Sequence, residues 1–204
     1  MKRISFVEEM REAVLDNRKS MTRRLGKCPY KVGDVLGIGE PHRLWAKERT
    51  YQHRVGQDRG EVDFAQMSAL ICQYDDGMQQ EVPLTESEKA AWLAKKTVGL
   101  VDALGIVRSP TQRRSGRFLP DPFIRDCIRI TAIRREHLQS ITPADARLEG
   151  APETSGHPAF YAFGMQSYVR WFAALWDDLN GKRPGGARFA DNPDVWVLSF
   201  ERVI

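Results

Sequence analysis

A chain of 204 residues with 42% apolar and 28% charged residues is long enough for one domain with a substantial core, and it is neither disordered nor fibrous. No apolar run approaches the length needed to span a bilayer. The basic start Met1-Lys2-Arg3-Ile4-Ser5 is followed by Glu8 and Glu9 rather than by an apolar signal core, so a cytoplasmic protein is expected. The net charge of +4 is mild, and any case for nucleic acid rests on where the cations fall.

The first element is a predicted helix over Ser5 to Asp16. Ser5-Phe6-Val7-Glu8 fits a capping box, and Phe6, Val7, Met10, Ala13 and Val14 recur at helical spacing. Asn17 suits a left-handed stop. The run Asn17 to Arg24 then packs four cations and two hydroxyls into eight residues, read either as a solvated surface or as a corner that meets an anionic or electron-rich ligand. Within it, Lys19 stands near Arg18, Arg23 and Arg24, and a lysine desolvated or held near cations gives up its proton more easily and can activate the Thr22 hydroxyl. Residues three apart in a straight strand face opposite ways, so Lys19 and Thr22 converge only across a turn or bulge.

Lys31-Val32-Gly33-Asp34 is a turn signal ahead of a short strand from Val35 to Ile38. Beyond it, Tyr51 to about Leu119 reads as an insertion, with a strand from Ala69 to Tyr74 and a helix opened by the capping box Thr85-Glu86-Ser87-Glu88. Ala90, Trp92 and Leu93 offer that helix an apolar face. Lid and decoration are both open for this region. Arg108 to Arg117 reads as a mobile basic loop.

From Cys127 to Ile133 apolar and polar residues alternate, as in a strand with one wet face. Thr142 as cap, Pro143 at the first position and Asp145 in the first turn start a short helix that Gly150 ends. Glu149 lies in its last turn, where the helix dipole disfavours a carboxylate; unless a cation compensates, it should hold a proton tightly and suit proton donation. Tyr168, Trp171, Phe172, Leu175, Trp176 and Leu179 form a helical stripe read as core, closed by Asn180-Gly181. Val195 to Phe200 reads as a central or doubly covered strand. The three cysteines, Cys28, Cys72 and Cys127, are far apart, and the four histidines show no ligand spacing with them. No disulfide framework, metal or cofactor is expected.

The run Val14 to Arg24, followed by Lys31-Val32-Gly33-Asp34-Val35-Leu36, resembles the opening of ASCH domains, and most closely their phage- and prophage-encoded branch. Arg125 to Thr131, Ile141 to Gly150, Leu175 to Gly181 and Asn192 to Val197 follow in the same order. The resemblance implies an α+β, PUA-like fold: a small mixed β-barrel flanked by helices, forming one domain over 1–204 with the insertion at about 51–119. It implies recognition of a modified nucleoside or RNA base in a basic cleft. It further implies amide hydrolysis like that of bacterial acetylcytidine amidohydrolases, with Lys19 as base, Thr22 as nucleophile and Glu149 as proton donor. A glutamate after the glycine-aspartate turn falls on Glu40 or Glu48. Arg18, Arg23, Arg24, Glu40 and Arg125 are the expected substrate or nucleic-acid contacts. The competing readings are a non-catalytic module for RNA or single-stranded nucleic acid, with those arginines on phosphates, and a phage accessory protein acting through protein contacts.

Overall fold

The structure, a computed structural model, describes residues 1–48, 67–88, 113–152, 166–182 and 187–203. These form a mixed α+β protein with eight strands in two sheets. They group into two compact units: Met1–Ile38 with Asp126–Ile204, and Gly39–Arg125. Among the described residues no helix is long and apolar enough to cross a membrane.

The first unit is built on a five-stranded sheet. Its strands are β1 (Arg3–Ser5), β2 (Met21–Arg24), β3 (Val35–Gly39, whose last residue begins the second unit), β7 (Cys127–His137) and β8 (Asp194–Val203), in the order β1-β3-β7-β8-β2. The long antiparallel β7–β8 ladder is its spine, and β8 lies between β7 and β2, as its apolar run led one to expect. β3 and β8 share the sheet, both joined to β7. The strand alternation divides two apolar clusters. Ile4, Val14, Leu36, Ile38, Ile128, Ile130, Leu198 and Phe200 form one; Met21, Leu138, Ile141, Ala146, Val195 and Val197 form the other, together with Tyr168, Phe172 and Trp176. Full burial of a side chain such as Phe172 is worth about 1.5–3 kcal/mol.

The first helix, α1, runs from Glu8 to Leu15, three residues later than its capping-box pattern suggested. Arg3–Ser5 is a strand instead, because Ile4 is 3% exposed in the core and Gly37 N donates to the Lys2 carbonyl across the pairing with β3. The Ser5 carbonyl accepts from Arg24, Val7 caps the helix without a side-chain bond, and Val7 itself is exposed. Asn17 does adopt the left-handed conformation, with φ of 58°, so the amides of Arg18 and Lys19 both turn back onto the Ala13 carbonyl at 2.8 Å.

Two further helices cover the Met21 side of the sheet: α2 (Pro143–Leu148) and α3 (Gln166–Asn180). Thr142 caps α2 by accepting from Asp145 N at 3.1 Å, and Gly150 ends it at φ +99°. The α3 stripe is core as expected: Tyr168, Phe172 and Trp176 are buried, and Trp176 Nε1 donates to the Ala187 carbonyl.

The second unit carries a three-stranded antiparallel sheet, β4-β5-β6, from His42–Glu48, Met67–Tyr74 and Gln79–Pro83. Leu44, Leu70, Cys72, Tyr74, Leu119 and Phe123 form its core. The unit is wider than the expected insertion, because β4 pairs with β5 and draws the chain from Gly39 onward into it. The described half of the basic loop is anchored rather than loose. Arg113 binds Asp75, and Arg114 exchanges backbone hydrogen bonds with His42. Thr85 and Glu88 form the reciprocal capping bonds at 2.9 and 3.3 Å. Ala90, Trp92, Leu93 and the loop residues before Arg113 lie outside the described residues.

Candidate functional site

Gly150 is the local reason the site assembles. Its positive φ turns the chain sharply after α2, and with no Cβ it allows Lys19 to approach, so Lys19 and Glu149 form an antiparallel bridge while Ser20 N donates to the Leu148 carbonyl at 2.9 Å. Lys19 Nζ then donates twice to one residue 130 positions away, to Glu149 Oε2 at 2.7 Å and to the Glu149 carbonyl at 2.7 Å. The other carboxylate oxygen, Oε1, accepts from Arg23 at 3.1 Å. The carboxylate at this helix end therefore stands between two cations.

Arg23 extends the network. Its second nitrogen bonds Glu136 Oε1 at 2.6 Å and Asp145 Oδ2 at 3.0 Å, and Arg134 bonds the same two carboxylates at 2.9 and 3.2 Å. Three cations, Lys19, Arg23 and Arg134, thus face three carboxylates, Glu136, Asp145 and Glu149. The Arg23 side chain is 0% exposed and lies over the Phe172 ring at 5.7 Å. A group so placed is an internal tie between β2, β7 and α2.

Lys19, Thr22 and Glu149 are 4%, 5% and 3% exposed. Burial holds the Lys19 ammonium below the ordinary lysine value. Glu149 opposes that shift through its charge and its hydrogen bond, and Arg24 and Arg23 add to it. Thr22 pairs with Leu198 on β8, on the face of β2 opposite Met21 and Arg23. Its hydroxyl has no hydrogen-bond partner among the described residues. Lys19 lies outside β2 and so escapes the opposite-face rule. Its Nζ sits 5.9 Å from the Phe6 ring centroid, and Arg24, which shares Thr22's face of the strand, covers the same ring at 5.3 Å.

The other expected contacts are dispersed. Arg18 is partly exposed and pairs with Asp16 at 3.2 Å, and Arg24 donates to the Ser5 carbonyl at 2.8 Å. Glu40 and Arg125 belong to the second unit, where they bind each other; Arg125 also reaches Asp76 at 2.8 Å and lies over the Tyr74 ring at 3.8 Å. The side chain of Glu48 lies outside the described residues. Glu136 and Arg134 were not foreseen, although Asp145 and Glu149 are four apart on a helix, a spacing that puts two carboxylates on one face and asks for cations opposite.

Burial pushes the Cys72 thiol up to about 12 and raises that of Cys127, so neither is a ready nucleophile. Among the described residues no group of His, Cys, Asp and Glu side chains is arranged to hold a metal ion. Comparison with family models, with curated proteins and with solved structures gives no match.

Proposed function

We propose that this protein is an ASCH-like, PUA-like nucleoside-recognition protein that hydrolyses an acyl amide on cytidine. The observation that carries the reading is the buried 2.7 Å contact between Lys19 Nζ and the Glu149 carboxylate, three residues along the chain from a buried Thr22. The resemblance to acetylcytidine amidohydrolases singles out those three residues. Burial supplies the reason the lysine serves as a base, since a desolvated ammonium sheds its proton more readily.

The chemistry balances around one shared proton. In the reactive form that proton rests on Glu149 and Lys19 is neutral. Lys19 Nζ takes the Thr22 hydroxyl proton while Oγ1 attacks the acyl carbon, and the C–N bond breaks as Glu149 gives its proton to the departing cytosine amine. An acyl-threonine ester remains, with Lys19 charged and Glu149 ionised. Glu149 then takes a proton from water, whose oxygen attacks the ester, and Lys19 returns its proton to Thr22 as the acid leaves.

The burial of the three residues favours a ligand that presents a small acyl-bearing base over one that lays a charged backbone along the surface. The inward turn of Arg23 takes one cation from the phosphate-clamp reading. The test is turnover on a panel of acylated nucleosides, N4-acetylcytidine first, beside binding to single-stranded RNA at several salt concentrations. Turnover with little salt dependence supports the hydrolase; no turnover with affinity falling steeply as salt rises supports a nucleic-acid-binding module instead.

A further inference from the structure

We propose that Arg23 is the positioning residue of the Lys19–Glu149 pair: its guanidinium holds one Glu149 oxygen so that the other stays on Lys19, and Glu136 and Asp145 set how strongly it does so. The inference rests on Lys19 and Glu149 as the working pair of the proposed reaction. It does not require that the reaction occur.

The geometry makes the assignment. Glu149 ends a helix, and its two carboxylate oxygens go to different cations, Oε2 to Lys19 at 2.7 Å and Oε1 to Arg23 at 3.1 Å. A carboxylate fixed at one oxygen cannot rotate away from the partner of the other. Arg23 is itself fixed, because its side chain is fully buried, its second nitrogen is forked between Glu136 at 2.6 Å and Asp145 at 3.0 Å, and Phe172 backs it at 5.7 Å. The fork ties together an edge strand, the spine strand β7 and α2. A lysine at position 23 would keep the charge without the planar geometry that reaches three carboxylates at once.

Charge gives the network a second effect. The groups facing Lys19 are Glu149, Arg24 and Arg23, and behind Arg23 stand Glu136, Asp145 and Arg134. A cation beside the pair makes its proton easier to remove, and each carboxylate on Arg23 blunts that action. Glu136 and Asp145 are each 19% exposed in their side chains, so they adjust the pair from the rim while Arg23 acts from inside.

The experiment follows the Lys19 side-chain signals by NMR against pH in the full chain carrying isotope-labelled lysine, with Lys19→Met identifying the resonance. Arg23→Gln should raise the pH at which Lys19 loses its proton by about one unit, the effect expected of a charge removed at close range. Asp145→Asn should move it the opposite way by a smaller amount. Arg23→Lys should leave the midpoint near the parent's. A purely structural Arg23 predicts lower melting temperatures with the Lys19 midpoint unmoved in every folded variant, and that result overturns the proposal. Should Arg23→Gln fail to fold, Asp145→Asn decides by the sign of its shift, a zero or upward shift overturning it. The same variants assayed on N4-acetylcytidine separate the two ideas. Midpoints that move as stated in a protein without turnover uphold the positioning role and remove the hydrolase reading, whereas turnover with unmoved midpoints does the reverse.

Discussion

A Cβ added to Gly150 would stand 3.2 Å from the Cβ of Lys19 and 3.1 Å from that of Ala13. The left-handed φ of +99° adds a second objection to any side chain there. Gly150→Ala is therefore expected to cost about 1–3 kcal/mol and to loosen the bridge that brings Lys19 to Glu149. Chemical denaturation reads the first effect. The Lys19 NMR midpoint, drifting upward as the amine gains access to water, reads the second.

The buried pair should be costly to break and cheap to replace. Lys19→Met alone, or Glu149→Leu alone, strands a charged partner and is expected to destabilise by about 3–5 kcal/mol. The double variant should recover much of that loss, because an apolar pair leaves no buried charge unmatched beyond the Arg23 that Glu149 helped to hold. A double-mutant cycle on unfolding free energies checks it, and strictly additive losses would show that the two side chains are not coupled.

His42 makes the second unit sensitive to acid. It is 0% exposed, one ring nitrogen bonds the Glu40 carbonyl at 3.0 Å, and the other, Nε2, has no partner among the described residues. Burial holds its pKa below the usual histidine value, the Glu40 carbonyl opposing and Arg114 adding to the shift. Between that lowered value and about 6.5 the unfolded chain binds a proton that the folded chain does not, so stability falls as pH drops through this window and is full above it. The slope for one proton is at most about 1.4 kcal/mol per pH unit. Urea unfolding at pH 7.5 and 5.5 should show the loss, and His42→Leu should flatten it.

Gly116 passes so close to Gly39 that an added Cβ would meet the Gly39 carbonyl oxygen at 2.1 Å. Backbone cannot swing aside as a side chain can. Gly116→Ala is expected to cost about 1–3 kcal/mol or more and to free the Arg113–Phe118 segment, which limited proteolysis would detect as new cleavage there.

What could be read from the chain alone was local. Asn17 announced its left-handed turn, Thr142 and Pro143 announced α2, and the apolar run of β8 announced a central strand, because each signal lies within a few residues of its effect. The start of α1 misled: Ser5 and Glu8 match a capping box, yet Ile4 gains more by entering a sheet whose partner strand lies some thirty residues on. The site was half legible. Lys19 and Thr22 could be picked out from their cation cluster, Glu149 from its place at a helix end, and all three from a resemblance, but nothing in the alternation of a four-residue strand told that Arg23 would turn inward. Its direction is set by Glu136 and Asp145, which only the tertiary fold brings to it. The two-sheet grouping was likewise hidden, since β4 reads equally well as a strand of either unit until β5 pairs with it.

If Lys19 works as a base, Lys19→Arg removes that function while sparing the charge, because arginine stays positively charged and protonated. Rates and binding of N4-acetylcytidine should be measured on purified parent and variant. Measurable turnover is expected in the parent, with a loss of about 100-fold or more in kcat for Lys19→Arg and binding within a few-fold of the parent's. A Lys19→Arg protein that hydrolyses at the parental rate, or a parent inert on every acylated nucleoside offered, would contradict the role of Lys19 as base.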